Sequence, residues 1–90
     1  MDIRQTTEFK KQVKKLHKNQ KKDLDAAILV VVKDVSVGNR KTSDLKDIQV
    51  YKFKMAKQLT LLTYKFYADQ VVLIFIALGS HENFYRNLKR

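Results

Sequence analysis

The chain contains no cysteine, so neither a disulfide framework nor a thiolate metal site is available and the fold must rest on packing. Histidine is nearly as scarce. His17 and His81 lie far apart with no ligand-spaced neighbours, which argues against a structural metal, and no cofactor is expected. Long apolar runs are missing too: the longest, from Val71 to Gly79, is far short of the roughly 20 residues that span a bilayer, so no membrane is expected. The opening stretch MDIRQTTEFKKQVKK has an acid at position 2 and no apolar core, so a signal peptide is not expected and the reduced cytoplasm is the default location. Acids are the last deficit. Lys and Arg number 19 against 9 Asp and Glu, a net charge of +10 with a pI near 10.0. Such a field favours polyanions or an acidic protein partner, through steering and counterion release. A solvated basic surface is the plain alternative.

The 90 residues form one expected domain, 1–90. A chain this short buries only roughly 60 to 65 percent of its unfolded surface, so its stability margin is thin. From Phe9 the apolar residues recur at Phe9, Val13 and Leu16 among lysines, a helical period with Thr6 or Thr7 as N-cap and Glu8 in the first turn. Before it, Asp2 to Gln5 reads as a short edge strand. KNQKK at 18 to 22 interrupts the stripe, and Leu24, Ile28, Val31 and Val35 then share a second helical face with Ala27 and Val32 beside it. A buried strand over 28 to 32 is the competing reading; Gly38 and Asn39 supply an expected C-cap.

After the turn-rich stretch 38 to 47 the period becomes two. Ile48, Val50, Lys52 and Lys54 share one strand face, and Tyr51, Phe53 and Met55 the other. In the next strand Leu62, Tyr64 and Phe66 alternate with Leu61, Thr63, Lys65 and Tyr67. Residues 68 to 70 reverse the chain into VVLIFIAL, whose unbroken apolarity predicts a strand covered on both faces. The expected fold is α+β: a short N-terminal strand, a two-helix hairpin on one face of an antiparallel sheet of three to four strands, and a short C-terminal helical segment.

With the helices over Tyr51, Phe53, Leu62 and Tyr64, the opposite face carries Lys52, Lys54, Thr63 and Lys65, a basic surface suited to a phosphodiester backbone. His81 follows the last strand directly, and Tyr85 lies one helical turn later if that segment is helical. Metal-free RNA cleavage needs a base for the 2′-OH proton, cations for the scissile phosphate and an acid for the leaving 5′-oxygen. His81, Tyr85, Lys52, Lys54 and Arg86 meet that need, and Lys57, Lys65 and Arg90 are further candidate phosphate contacts. A surface histidine, a core tyrosine and solvent-facing lysines are the structural alternatives at these positions.

The order of elements, YKFK at 51 to 54, LLTYKFYADQVVLIFIALG at 61 to 79 and the closing HENFY resemble the RelE/ParE superfamily of bacterial type II toxins. In RelE-like members these positions belong to a ribonuclease site that cuts mRNA, usually on the ribosome. The resemblance implies that Lys52 and Lys54 stabilise phosphate or transfer protons, and that Tyr85 is the C-terminal aromatic. His81 stands where RelE has arginine and YafQ-like relatives have a histidine implicated in catalysis. Leu61 stands where RelE has an arginine that contacts the scissile phosphate; Lys65 or Arg86 is the expected substitute. An acidic antitoxin that folds over the toxin is the implied partner, with operator DNA bound only through that antitoxin. Two other readings share the features: a ParE-like toxin that inhibits DNA gyrase without nuclease chemistry, and a non-catalytic basic module for nucleic acid or ribosome.

Overall fold

In the computed structural model, which describes residues 1–40 and 48–80, the chain runs β1 (Asp2–Gln5), α1 (Thr7–Lys14), α2 (Lys18–Lys33), β2 (Asn39–Arg40), β3 (Gln49–Met55), β4 (Gln58–Tyr67) and β5 (Val72–Ser80). The expected C-terminal helical segment lies outside the described residues. One sheet holds the five strands in the order β1-β5-β4-β3-β2. The β3, β4 and β5 strands form two antiparallel hairpins, and β1 returns to lie parallel to β5 at the edge, with Asp2 opposite Val72. Both helices cover one face, giving the expected α+β layers. Among the described residues no helix is long and apolar enough to cross a membrane.

Thr6 starts α1 and also closes the sheet. Its Oγ1 accepts from the Phe9 N–H at 3.1 Å and donates to the Ile76 carbonyl at 2.6 Å. Beyond the end of β1 the edge of β5 would be open, but the Gln12 amide donates to Leu78 O at 2.5 Å and accepts from Leu78 N at 2.8 Å. The side chains of Thr6 and Gln12 thus satisfy backbone groups that a longer β1 would have paired.

The second helix begins earlier than its apolar pattern suggests. KNQKK is its first turn rather than an interruption, because the break falls at Lys15 to His17 and the Gln20 amide oxygen accepts from the His17 N–H at 2.9 Å. It also ends earlier, at Lys33. Gly38 and Asn39 do not cap it; Asp34 leaves in an extended conformation and Asn39 enters β2. Gly38 has a different task, giving its N–H to the Tyr64 hydroxyl at 2.9 Å. That hydroxyl donates to Val35 O at 2.7 Å, and the Gln49 amide donates to the same carbonyl at 2.9 Å. A buried tyrosine therefore ties the exit of α2 to the sheet with its polar atom satisfied.

Phe9, Leu24 and Val31 from the helices pack with Leu62, Tyr64, Leu73, Phe75 and Leu78 from the sheet. Phe9 stacks on Phe75 with ring centroids 5.6 Å apart. The run VVLIFIAL is not covered on both faces, since Ile74, Ile76 and Ala77 are only half-buried. Its continuity has another cause. Thr63 pairs with Ala77 and Tyr64 with Phe75, so Ile76 is an extra residue on β5. The bulge flips the alternation, and both Phe75 and Leu78 reach the helix side despite their odd spacing. Val71 belongs to the preceding turn, not the strand, at φ 53°.

Candidate functional site

The face of the sheet turned away from the helices follows from register. Lys52 lies opposite Leu61, and Leu61 opposite Gly79, so one rung crosses β3, β4 and β5. The next rung joins Val50, Thr63 and Ala77, and the rung on the other side joins Lys54 and Leu59. As expected, Lys52 and Lys54 are exposed neighbours on this face, about 7 Å apart at i and i+2. The chain leaves β5 at Ser80, next to the rung of Lys52, on the same end of the sheet.

The cations are not a continuous field. Lys65 lies one rung beyond the pair of Gln49 and Tyr64, four β3 residues from the rung of Lys52, which is about 13 Å along the strand. It does not join the lysine pair; its Nζ sits 5.4 Å from the Tyr67 ring centroid, a cation–π contact on its own strand. Thr63 is likewise not part of an open basic face. It is 4 % exposed, and its Oγ1 has no hydrogen-bond partner among the described residues. Leu61 is 0 % exposed and clusters with Val50, so the centre of this face is apolar and its exposed lysines, Lys52 and Lys54, stand beside it on β3.

Lys57 is at the tip of the β3–β4 hairpin, exposed, at φ 72°, and Ala56 before it is at φ 50°. Two positive φ values in a two-residue turn suit Asn and Gly far better than Ala and Lys. The tip is held by Asp23 of α2, whose carboxylate accepts from the Ala56 N–H at 2.8 Å. Asp23 escaped the sequence reading because a long-range bond from a side chain to a backbone N–H leaves no periodic trace. His81, Tyr85, Arg86 and Arg90 lie outside the described residues. Among the described residues no three of His, Cys, Asp and Glu come together as metal ligands would.

Among the described residues two groups have shifted ionisation. Burial raises the Tyr64 hydroxyl above the usual tyrosine value, opposed by its bond from Gly38 N–H and reinforced by the Asp34 charge. Asp34 is lowered by the Ser36 hydroxyl, which donates at 2.6 Å, and by the Ser36 N–H at 3.1 Å. Neither faces the lysine pair, and Tyr64 belongs to the packed side of the sheet.

The described geometry has relatives. The model of the ParE-like toxins of type II bacterial toxin-antitoxin systems matches residues 3–89. No curated protein matches the chain in sequence. Among solved structures, the isolated E. coli RelE toxin superposes with a TM-score of 0.69 at 21% identity, over 99% of this chain and 96% of that one. The intact E. coli RelBE toxin-antitoxin complex gives 0.70 at 20% identity, over 88% and 94%. The archaeal RelE-RelB complex from Pyrococcus horikoshii gives 0.59 at 10% identity, over 88% and 92%. At these identities the likeness is one of fold.

Proposed function

The chain belongs to the ParE-like toxins of type II bacterial toxin-antitoxin systems, and from that premise we propose that it is a metal-independent endoribonuclease that cleaves mRNA and is neutralised by an acidic antitoxin. The observation that carries this reading is the exposed Lys52 and Lys54 pair on the face away from the helices, at the end where β5 stops at Ser80 and the chain continues to His81. In the proposed reaction the 2′-oxygen of RNA loses its proton to a base and attacks the adjacent phosphorus, and the 5′-oxygen departs with a proton from an acid. His81 and Tyr85 serve as the proton-transfer groups. Lys52 and Lys54 stabilise the charge that grows on the phosphate, and Arg86 adds to them. A cation that binds the dianionic transition state more strongly than the monoanionic ground state accelerates the step rather than merely tightening binding.

A ParE-like inhibitor of DNA gyrase is the second reading, favoured by one feature: the residue across from Lys52, where a RelE-type site has arginine, is the buried Leu61. Inducing the chain and mapping RNA 5′ ends separates the two. Discrete cleavage is expected, falling by about 10² or more in His81→Ala, Tyr85→Ala and Lys54→Ala variants that remain folded. Growth arrest with intact transcripts and gyrase trapped on DNA would replace the nuclease reading with the second.

A further inference from the structure

The first strand is an edge with half of its backbone groups unused. β1 pairs with β5 on one side, and among the described residues no strand lies on the other. Asp2 and Thr6 give their N–H groups to Val71 O and Phe75 O, each at 3.0 Å. Because backbone groups alternate in direction along a strand, the N–H and C=O of Ile3 and Gln5 point outward from the sheet. The side chains of these two residues lie on the helix side, where they border a groove of about 300 Å³ with Phe9, Val13, Leu24 and Ile28. Asp2 and Arg4 project from the opposite face, and Arg4 Nε and Nη2 both reach Oδ2 of Asp2 at 2.8 Å. The edge is also apolar: Ile3 is 48 % exposed, Met1 52 %, and Val71, in the turn bonded to Asp2, 50 %. Neither Pro, Lys nor a bulge blocks β1 against further pairing.

We propose that β1 pairs with β1 of a second copy of this chain, antiparallel about a twofold axis through Ile3, so that the two sheets join. The inference uses neither the nuclease nor the antitoxin reading. The outward groups of Ile3 set the register: Ile3 exchanges two hydrogen bonds with its own counterpart, and Met1 stands opposite Gln5 on each side of the axis. Asp2 then faces Arg4 of the other copy twice, at the non-hydrogen-bonded positions where side chains come closest, with Cα atoms about 4.5 Å apart. Other axes lose this match. One through Arg4 sets two arginines together, one through Asp2 sets two aspartates together, and one through Gln5 sets Arg4 against Thr6. The order Asp2, Ile3, Arg4 is thus self-complementary in charge about an apolar centre, and the two Ile3 side chains lie side by side between the two grooves. The +10 on each chain opposes approach, but screening over about 8 Å at physiological salt limits this to charges near the edge, where Asp2 with Arg4 and Lys21 with Asp25 cancel. A strand of four residues makes a small contact, so the dimer is weak. Both copies turn Lys52 and Lys54 to the same side of the joined sheet.

The test is sedimentation equilibrium of the full chain at about 0.15 M salt, with any tag at the C-terminus. Half-association is expected at roughly 10⁻⁵ to 10⁻⁴ M. Asp2→Arg and Arg4→Asp, exposed substitutions confirmed folded by their thermal transitions, each place two like-charge pairs beside the axis and weaken self-association by about tenfold or more. Mixed in equal amounts, the two variants associate to within about threefold of the parent, because every arginine of one then faces an aspartate of the other. A purely structural role of the pair within one chain does not produce that recovery. Amides of Ile3 and Gln5 exchange at least about fivefold more slowly where most chains are paired, while those of Asp2 and Arg4, already turned to β5, change by less than about twofold. A chain that stays monomeric to about 1 mM overturns the proposal. So does a dimer indifferent to both charge changes, one that the mixed variants fail to restore, or one whose slowed amides lie at Tyr51 to Met55, which would assign the contact to the edge of β3.

Discussion

The two faces of the sheet treat polar atoms in opposite ways. On the helix side the Tyr64 hydroxyl, the Gln49 amide, the Gln12 amide and the Thr60 hydroxyl each have backbone partners. On the other side Lys52 and Lys54 are exposed and the buried Thr63 hydroxyl has no partner among the described residues. The first face is organised for stability. The second sets charge beside an apolar centre.

That contrast can be broken or sharpened, and the largest effect should come from the helix side. Phe75→Ala removes the ring between Phe9 and Tyr64 and is expected to cost about 3–5 kcal/mol in urea unfolding, against a total of order 5–15 kcal/mol. Gly38→Ala comes next. A Cβ there would meet the Tyr64 oxygen at 2.6 Å and Cε1 at 2.9 Å, and the buried ring has no room to retreat, for an expected loss of about 2–3 kcal/mol. The Tyr64 hydroxyl also predicts an alkaline limit. Its folded value lies above the unfolded one of about 10, so its contribution is complete below pH 10 and is lost as pH rises through the folded value. Tyr64→Phe should cost about 1–2 kcal/mol at neutral pH, since Gly38 N–H loses its acceptor, and should remove this share of the alkaline decline in unfolding midpoints. The smallest effect has the opposite sign and belongs to the other face. Thr63→Val replaces a buried hydroxyl that has no partner among the described residues with a methyl group and should raise stability by about 1 kcal/mol, read from the same denaturation curves.

Elements with a clean period were legible in the sequence. The alternation of Tyr51, Phe53 and Met55 with Lys52 and Lys54 identified both faces of β3, and Thr6 with Phe9 and Val13 identified α1. Register was not legible, because it depends on turns that carry no signal here: Ala56 and Lys57 form a tight reversal without Gly or Asn. Lys65 stands two side-chain positions beyond Leu61 on its face, as the alternation of β4 implied. The bulge at Ile76 was hidden by a run in which every residue is apolar, where a change of parity alters nothing in the pattern. The bonds from Gln12, Asp23 and Gln49 to distant backbone atoms have no local signature at all.

The position of β5 has a consequence in time. It is the last described element along the chain, yet it lies inside the sheet, between β1 and β4. Asp2 waits for Val72, which at about 5–20 residues per second is roughly 4–14 seconds of synthesis. Until then Phe9 and Leu24 lack Leu73 and Phe75, the side chains that complete their packing. Contacts this far apart in sequence also form slowly once both partners exist. A growing chain therefore carries its lysine strand before it has the sheet on which to display it, and that face is assembled only as β5 arrives.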